Sequence, residues 1–299
     1  MSVRPVKRII QAQPHIEGAG VKLQRAFGFG NTTDFDPFLL FDDFRNDNPA
    51  DYLAGFPWHP HRGIETITYV LAGNVEHGDS LGNRGSLGAG DVQWMTAGSG
   101  ILDQEMPQGD PQGRMHGFQL WANLPSSLKM TKPRYQDVGA KDIPEVVDDD
   151  GTSVRVICGE FWGKKGPIEG VAADPRYVDV TVPPNQRKRL AVETSRHAFA
   201  YVFAGSGTFR DASAPHGVLT EPVDGSDAIR RERTGNRSMV LFDTGDEVVV
   251  QAGEEGIRFL LVSGKPIEEP VAWYGPIVMN TKQELQEAMA DLQRGTFIK

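Results

Sequence analysis

Residues 55–73 read GFPWHPHRGIETITYVLAG. Two histidines, His59 and His61, stand one residue apart in a chain that has only seven. Pro60 between them holds the backbone extended and disfavours a helix. In an extended chain residues i and i+2 project to the same face, so the two imidazoles point together. The run that follows, ITYVLAG, with its β-branched residues and closing glycine, reads as a strand ending in a turn. The stretch therefore predicts β-structure with a pair of metal-competent side chains at its start.

Working outward, the same grammar recurs. ETITYVLAG (65–73), DVQWMTAG (91–98) and MHGFQLWANL (115–124) form a first group of strand-like runs. VRVICG (154–159), YVDVTV (177–182), FAYVFAG (199–205), SMVLFD (238–243), EVVVQAG (247–253) and IRFLLVSG (257–264) form a second. Val178, Val180 and Val182 alternate with Tyr177, Asp179 and Thr181, a period of two. Glycine turns at short spacing, with Gly 34 and Pro 20 in the whole chain, are the pattern of antiparallel sandwiches and barrels. Tyr69-Val-Leu-Ala-Gly73 is echoed by Tyr201-Val-Phe-Ala-Gly205, which suggests a duplicated β-domain.

Between the groups, PRYQDVGAKDIPEVVDDDGTS (133–153) is polar and is read as a linker. The expected boundary is near residue 140, giving a first domain over 1–140 and a second over 141–299. The one clear helix is C-terminal, over 281–294. Thr281 and Glu284 have capping-box spacing, Leu285, Ala288, Met289 and Leu292 form a stripe, and Gly295 is a stop. It is expected to cover a barrel rather than to act.

Composition excludes some classes. The net charge of −9 leaves no broad basic surface for a nucleic-acid backbone. The arginine-rich patch IRRERTGNR (229–237) reads as a solvated loop. The single cysteine, Cys158, forbids an internal disulfide and fits a reducing compartment, as a small buried hydrophobe. MSVRPVKRIIQAQ has no apolar core of a signal peptide, and no run approaches the ~18 apolar residues of a membrane span. The expectation is a soluble cytoplasmic protein with no direct nucleic-acid or membrane partner.

A second segment, GDVQWMTAGSGILDQEMP (90–107), offers another i, i+2 pair, Asp103 and Glu105. Two imidazoles with one or two carboxylates on neighbouring strands make a non-haem metal site with open positions. Glu65 is expected beside the ligands. His116 is read as facing the pocket or the core, and His77 as exposed in the turn EHGDSLGNRG. His197 and His216 lack a carboxylate at ligand spacing, so the second half is expected to be structural. Trp94 and Trp121 are read as core, and Trp58 as lining the site's entrance.

These segments resemble the pirin family. DPFLLFDDF (36–44), FPWHPHRGIETITYVLAG (56–73), GDVQWMTAGSGIL with EMP (90–107), HGFQLWANLP (116–125) and GPIVMNT (275–281) carry the likeness over essentially the whole chain. The resemblance implies an all-β bicupin: two tandem antiparallel β-barrels of jelly-roll type, with one divalent metal in the N-terminal barrel. It implies His59, His61 and Glu105 as ligands. At the remaining position the family has histidine and this chain has Asp103, within GILDQEMP. With aspartate as ligand, two neutral and two anionic donors favour oxygen-preferring Fe, or Mn, over Ni, Cu, Co or Zn. If Asp103 falls short, the other three form a two-histidine, one-carboxylate face, or the site has lost its metal.

Some pirins resemble quercetinases, which open the central ring of a flavonol with O₂ and release carbon monoxide. The resemblance thus implies a metal-dependent quercetin 2,3-dioxygenase-type oxidoreductase, with Glu105 as catalytic base and a flavonol-like small molecule and O₂ as partners. The alternative it implies is a non-catalytic metal-binding regulator that docks on transcription factors or metabolic enzymes, or a pirin fold with a degenerate site.

Overall fold

The computed structural model describes residues 2–209 and 233–299. His216 and residues 229–232 of the arginine-rich patch lie outside the described residues. The chain divides into two compact units. One comprises Gln13–Ile143, Pro167–Asp174 and Pro266–Lys299; the other comprises Met1–Ala12, Pro144–Gly166 and Pro175–Lys265. Each is a cupin-type β-structure.

In the first unit a seven-stranded antiparallel sheet runs in the order Arg134–Val138, Val92–Thr96, Ile64–Ala72, His116–Asn123, Phe38–Asp43, Val21–Phe27, Gln13–Glu17. A four-stranded sheet is built from Phe56–His61, Ile101–Gln108, Asn74–Asp79 and Arg84–Leu87. Alternation decides what each strand shows to the other sheet. Thr68, Gln93 and Gln119 are direct cross-strand partners and reach Glu105 or His77 on the four-stranded sheet. Ile67, Tyr69, Trp94, Phe118 and Leu120 therefore face the opposite side, all fully buried. Two apolar clusters fill other parts of the unit, one around Tyr52, Val70 and Met115, the other around Ile64, Met95 and Ile101.

Among the described residues the second unit is built on a nine-stranded antiparallel sheet dominated by two long strands, His197–Phe209 and Glu247–Gly264. Both bend at register shifts, between Val202 and Ala204 and between Gly205 and Gly207, so one strand serves two stretches of pairing. Its interior holds Val154, Val178, Val180, Phe209, Val250 and Phe259 among other apolar residues. The YVxAG echo is structural: Tyr69 and Tyr201 are both wholly buried. Gly73 and Gly205 both adopt positive φ, where a Cβ would strike a backbone carbonyl at 2.7 and 2.1 Å.

Three expectations are revised. The polar stretch 133–153 is not a free linker, since Arg134–Val138 pairs with Val92–Thr96 and Glu145–Val147 pairs with Ser153–Arg155. Its three aspartates form the turn between those last strands, and Asp148 and Asp150 hold Lys188. The C-terminal segment belongs with residues 13–143 rather than with 144–265, because Ile277, Met279, Ala288 and Phe297 pack into one cluster in that unit. Likewise Met1–Ala12 belongs with the other unit, where Val6–Gln11 pairs with Ser238–Phe242. The helix itself matches its signals. It spans Lys282–Arg294, with a complete Thr281–Glu284 capping box and a left-handed Gly295 at its end. Cys158 is buried. No helix among the described residues is long and apolar enough to cross a membrane.

Candidate metal centre

The GFPWHPH segment forms the edge strand Phe56–His61, paired antiparallel with Ile101–Gln108. Asp103 lies opposite His59 and Ile101 opposite His61, and the register then shifts before Glu105. One ligand atom each from His59, His61 and Asp103 lie within 4.8 Å of one another. His59 Nε2 is 3.7 Å and His61 Nε2 3.8 Å from the same oxygen, Asp103 Oδ1. Donors bound at ~2.1 Å to one ion stand roughly 3.0–3.5 Å apart, so each imidazole stands a few tenths of an ångström farther from Asp103 than in a closed site.

Two further observations suit a cation. His59 Nδ1 stands 2.9 Å from the Pro57 carbonyl, which can only accept, so that nitrogen carries the proton and Nε2 offers its lone pair toward Asp103. Asp103 Oδ1 and His61 Nδ1 are buried and without a hydrogen-bond partner among the described residues. An orphaned carboxylate oxygen aimed at two imidazole nitrogens is costly unless something positive joins them.

Electrostatics point the same way. Burial, and then the charges of Glu105 and Asp79, push the Asp103 carboxyl well above the usual carboxylate range. Asp79 is its direct cross-strand partner and is held by Leu81, Asn83 and Tyr135. Burial, and then His59, hold His61 well below the ordinary imidazole value, while the Pro276 carbonyl acts in the opposite sense. Asp103 and His61 thus favour their neutral states on their own, and a bound cation would reverse that balance at Asp103.

Glu105 is not part of the triad. Its Oε1 accepts from Thr68 Oγ1 at 3.1 Å, and Gln119 Nε2 donates to both oxygens at 3.2 and 3.0 Å. Gln119 Oε1 in turn accepts from Trp121 Nε1, and the Trp121 ring meets His61 edge-on at 5.2 Å. Glu105, His59 and His61 line one pocket of about 380 Å³, walled by Phe29, Phe56 and Trp121.

Other candidates are placed elsewhere. Glu65 is buried on the opposite face of its strand, where it accepts from Thr96 Oγ1 at 2.7 Å; burial raises its carboxyl. One-residue parity separates it from the ligands that sequence proximity suggested. His116 pairs with Asp47 at 2.6 Å, away from the triad. His77 is not an exposed turn residue: it lies in Asn74–Asp79, stacked on Tyr135 and in contact with Gln93. His197 lies in the other unit. Trp94 is core, Trp121 lines the pocket and Trp58 is exposed. Sequence reading missed Thr68, Gln119 and Asp42. Their signal was a polar residue inside an otherwise apolar strand, as in HGFQLWANL.

Two cupin-type units, one of which gathers two imidazoles and a carboxylate on neighbouring strands, define a bicupin with a candidate metal centre in a single domain. The chain belongs to the pirin family: residues 20–122 match the family described as Pirin, and residues 177–298 match the Pirin C-terminal cupin domain. It is 45% identical to a pirin-like protein of Caulobacter vibrioides over 99% of this chain and 100% of that one. It is 35% identical to human pirin over 98% of this chain and 93% of that one. A crystal structure of quercetin 2,3-dioxygenase from Acinetobacter baumannii superposes with a TM-score of 0.85 at 32% identity, covering 99% of each chain.

Proposed function

We propose that this protein is a metal-dependent dioxygenase of the quercetin 2,3-dioxygenase type, opening the central ring of a flavonol with O₂ and releasing carbon monoxide. The observation that carries the reading is the convergence of His59 Nε2, His61 Nε2 and Asp103 Oδ1 beside an aromatic-walled pocket of about 380 Å³. That volume lies within the range of small-molecule sites. The likeness to the Acinetobacter enzyme supports it.

His59, His61 and Asp103 would hold the ion, with Glu105 adjacent. The metal would supply Lewis acidity and reactivity toward O₂. Two imidazoles and one carboxylate, with a second carboxylate adjacent, suit Fe, with Mn as the alternative, better than Ni or Cu. Glu105 would take the proton of the flavonol 3-hydroxyl, since its carboxylate faces the pocket and is fixed by Gln119 and Thr68. Phe29, Phe56 and Trp121 would keep water from the reacting face.

A second reading, a metal-loaded protein that docks on another protein without turnover, is favoured by Trp58 and Tyr274. They flank pocket-lining residues and are 53% and 63% exposed. The deciding experiment is elemental analysis of untagged protein, followed by oxygen uptake and carbon monoxide release with quercetin. One Fe or Mn per chain with quercetin-dependent oxygen consumption is expected. A fully loaded protein that consumes no oxygen with flavonols would overturn the dioxygenase reading and leave the docking one.

A further inference from the structure

We propose that Arg62 is a positioning residue for the metal ligands, and that through it the C-terminal segment, residues 277–297, forms part of the metal centre. The inference rests on reading His59, His61 and Asp103 as a metal site. It assigns a task to a helix that sequence alone marks only as a cover.

His61 and Arg62 are consecutive at the end of an extended strand, so their side chains leave on opposite sides. His61 goes to the pocket. Arg62 goes the other way and is 2% exposed. Its Nε donates to the Ser99 carbonyl at 2.7 Å, Nη1 to Asp291 Oδ2 at 3.0 Å and Nη2 to the Phe297 carbonyl at 2.8 Å. The guanidinium carbon stands 4.1 Å from the centre of the Phe297 ring. Ser99 lies just before the strand that carries Asp103, whereas Asp291 and Phe297 lie in and after the terminal helix. One rigid fork thus joins three acceptors from the two parts of the chain that frame the ligands. A lysine could not copy that geometry.

The backbone is gripped at the same point. The Arg62 carbonyl accepts from Val278 N at 3.0 Å. Gly63 has φ +77°, and a Cβ there would sit 1.9 Å from the Val278 carbonyl oxygen, so strand and C-terminal segment touch backbone to backbone. Lys129 Nζ bridges the two by donating to the Gly63 carbonyl at 2.8 Å and the Val278 carbonyl at 2.9 Å. The residue that follows the second imidazole is therefore fixed by the C-terminal segment through side chain and main chain together. Groups that orient metal ligands typically change affinity about 10- to 100-fold when lost.

The test is a Co²⁺ titration of the full chain by visible absorption, comparing wild type, Arg62→Lys and Asp291→Asn well below the melting temperature of each metal-free protein. The proposal expects Co²⁺ binding about 10- to 100-fold weaker in Arg62→Lys, with a changed d–d spectrum, and a smaller shift in the same direction in Asp291→Asn. If Arg62 merely stabilises the fold, the variants melt earlier but keep the wild-type affinity and spectrum, which overturns the proposal. Should Arg62→Lys not fold, Asp291→Asn decides by the same two readouts. If the wild type takes up no Co²⁺, the metal reading itself falls and this one with it. Wild-type binding with unchanged variants defeats the positioning role alone.

Discussion

In the proposed metal centre residue 103 would set the chemistry. Its carboxyl faces two imidazoles, lies directly opposite Asp79 in the ladder, and has Glu105 two residues along the same strand. Burial and those two charges keep it protonated to higher pH than an ordinary aspartate. An incoming cation must displace that proton, so metal affinity rises with pH until the raised value is passed. The sign for stability without metal is opposite. The folded chain holds a proton that the unfolded chain releases near pH ~4, so this group's contribution falls as pH increases from there. Asp103→His would remove the carboxyl proton and supply a softer donor. The expected outcome is loss of the proton release that the aspartate contributes on metal uptake, and a preference moved from Mn²⁺ toward Ni²⁺. Competition titration with proton-release measurement checks both. Unchanged preference would show that residue 103 does not face the ion.

At the scale of strands, one polar row crosses the inner face of the seven-stranded sheet. Asp137, Gln93, Thr68, Gln119, Asp42 and Arg25 are successive cross-strand partners. Arg25 binds Asp42 through Nε at 2.8 Å and Nη2 at 2.7 Å. Gln119 is the pivot, because it alone in this row reaches both oxygens of Glu105 and also receives Trp121. Gln119→Leu would leave Glu105 with the Thr68 hydroxyl and Trp121 Nε1 without its acceptor. Each lost partner of a buried polar group costs about 1–3 kcal/mol, so a loss of roughly 2–6 kcal/mol is expected in urea unfolding. A change below ~0.5 kcal/mol would mean these bonds do not hold Glu105. The row also shows where sequence reading stops. Strand identity and the pairs His59/His61 and Asp103/Glu105 follow from local spacing, and the capping box of the last helix does too. Which face of ETITYVLAG turns inward does not, because parity acquires meaning only when a second sheet is laid against it. Glu65 and Thr68, three residues apart, end on opposite faces for that reason. His77 was hidden by the glycines around it, which read as a turn although Asn74–Asp79 is a strand.

The whole molecule divides the labour between two versions of one fold. Duplication was legible in the YVxAG echo, because the buried tyrosine and the left-handed glycine solve a local problem at the same place in each unit. Membership of the chain ends was not legible, since Val6–Gln11 pairs with, and Ile277 bridges to, residues more than 200 positions away in sequence. The unit formed around residues 175–265 has an interior filled largely by valine and phenylalanine, and its described residues contain no metal-ligand cluster. Its contribution should then be stability alone. Phe259, wholly buried and 5.2 Å from the Phe209 ring, tests this. Phe259→Ala is expected to cost about 3–5 kcal/mol. The fraction that stays folded should still bind metal at the wild-type ratio and affinity. Asp103→Asn should do the reverse, removing metal while leaving urea unfolding of the metal-free chain within ~1 kcal/mol of wild type or better, because it deletes a buried acid from a carboxylate cluster. Calorimetric titration of both variants, with unfolding curves beside it, separates the two effects. A fall in metal affinity in folded Phe259→Ala would show that the apolar unit shapes the centre as well as steadying the chain.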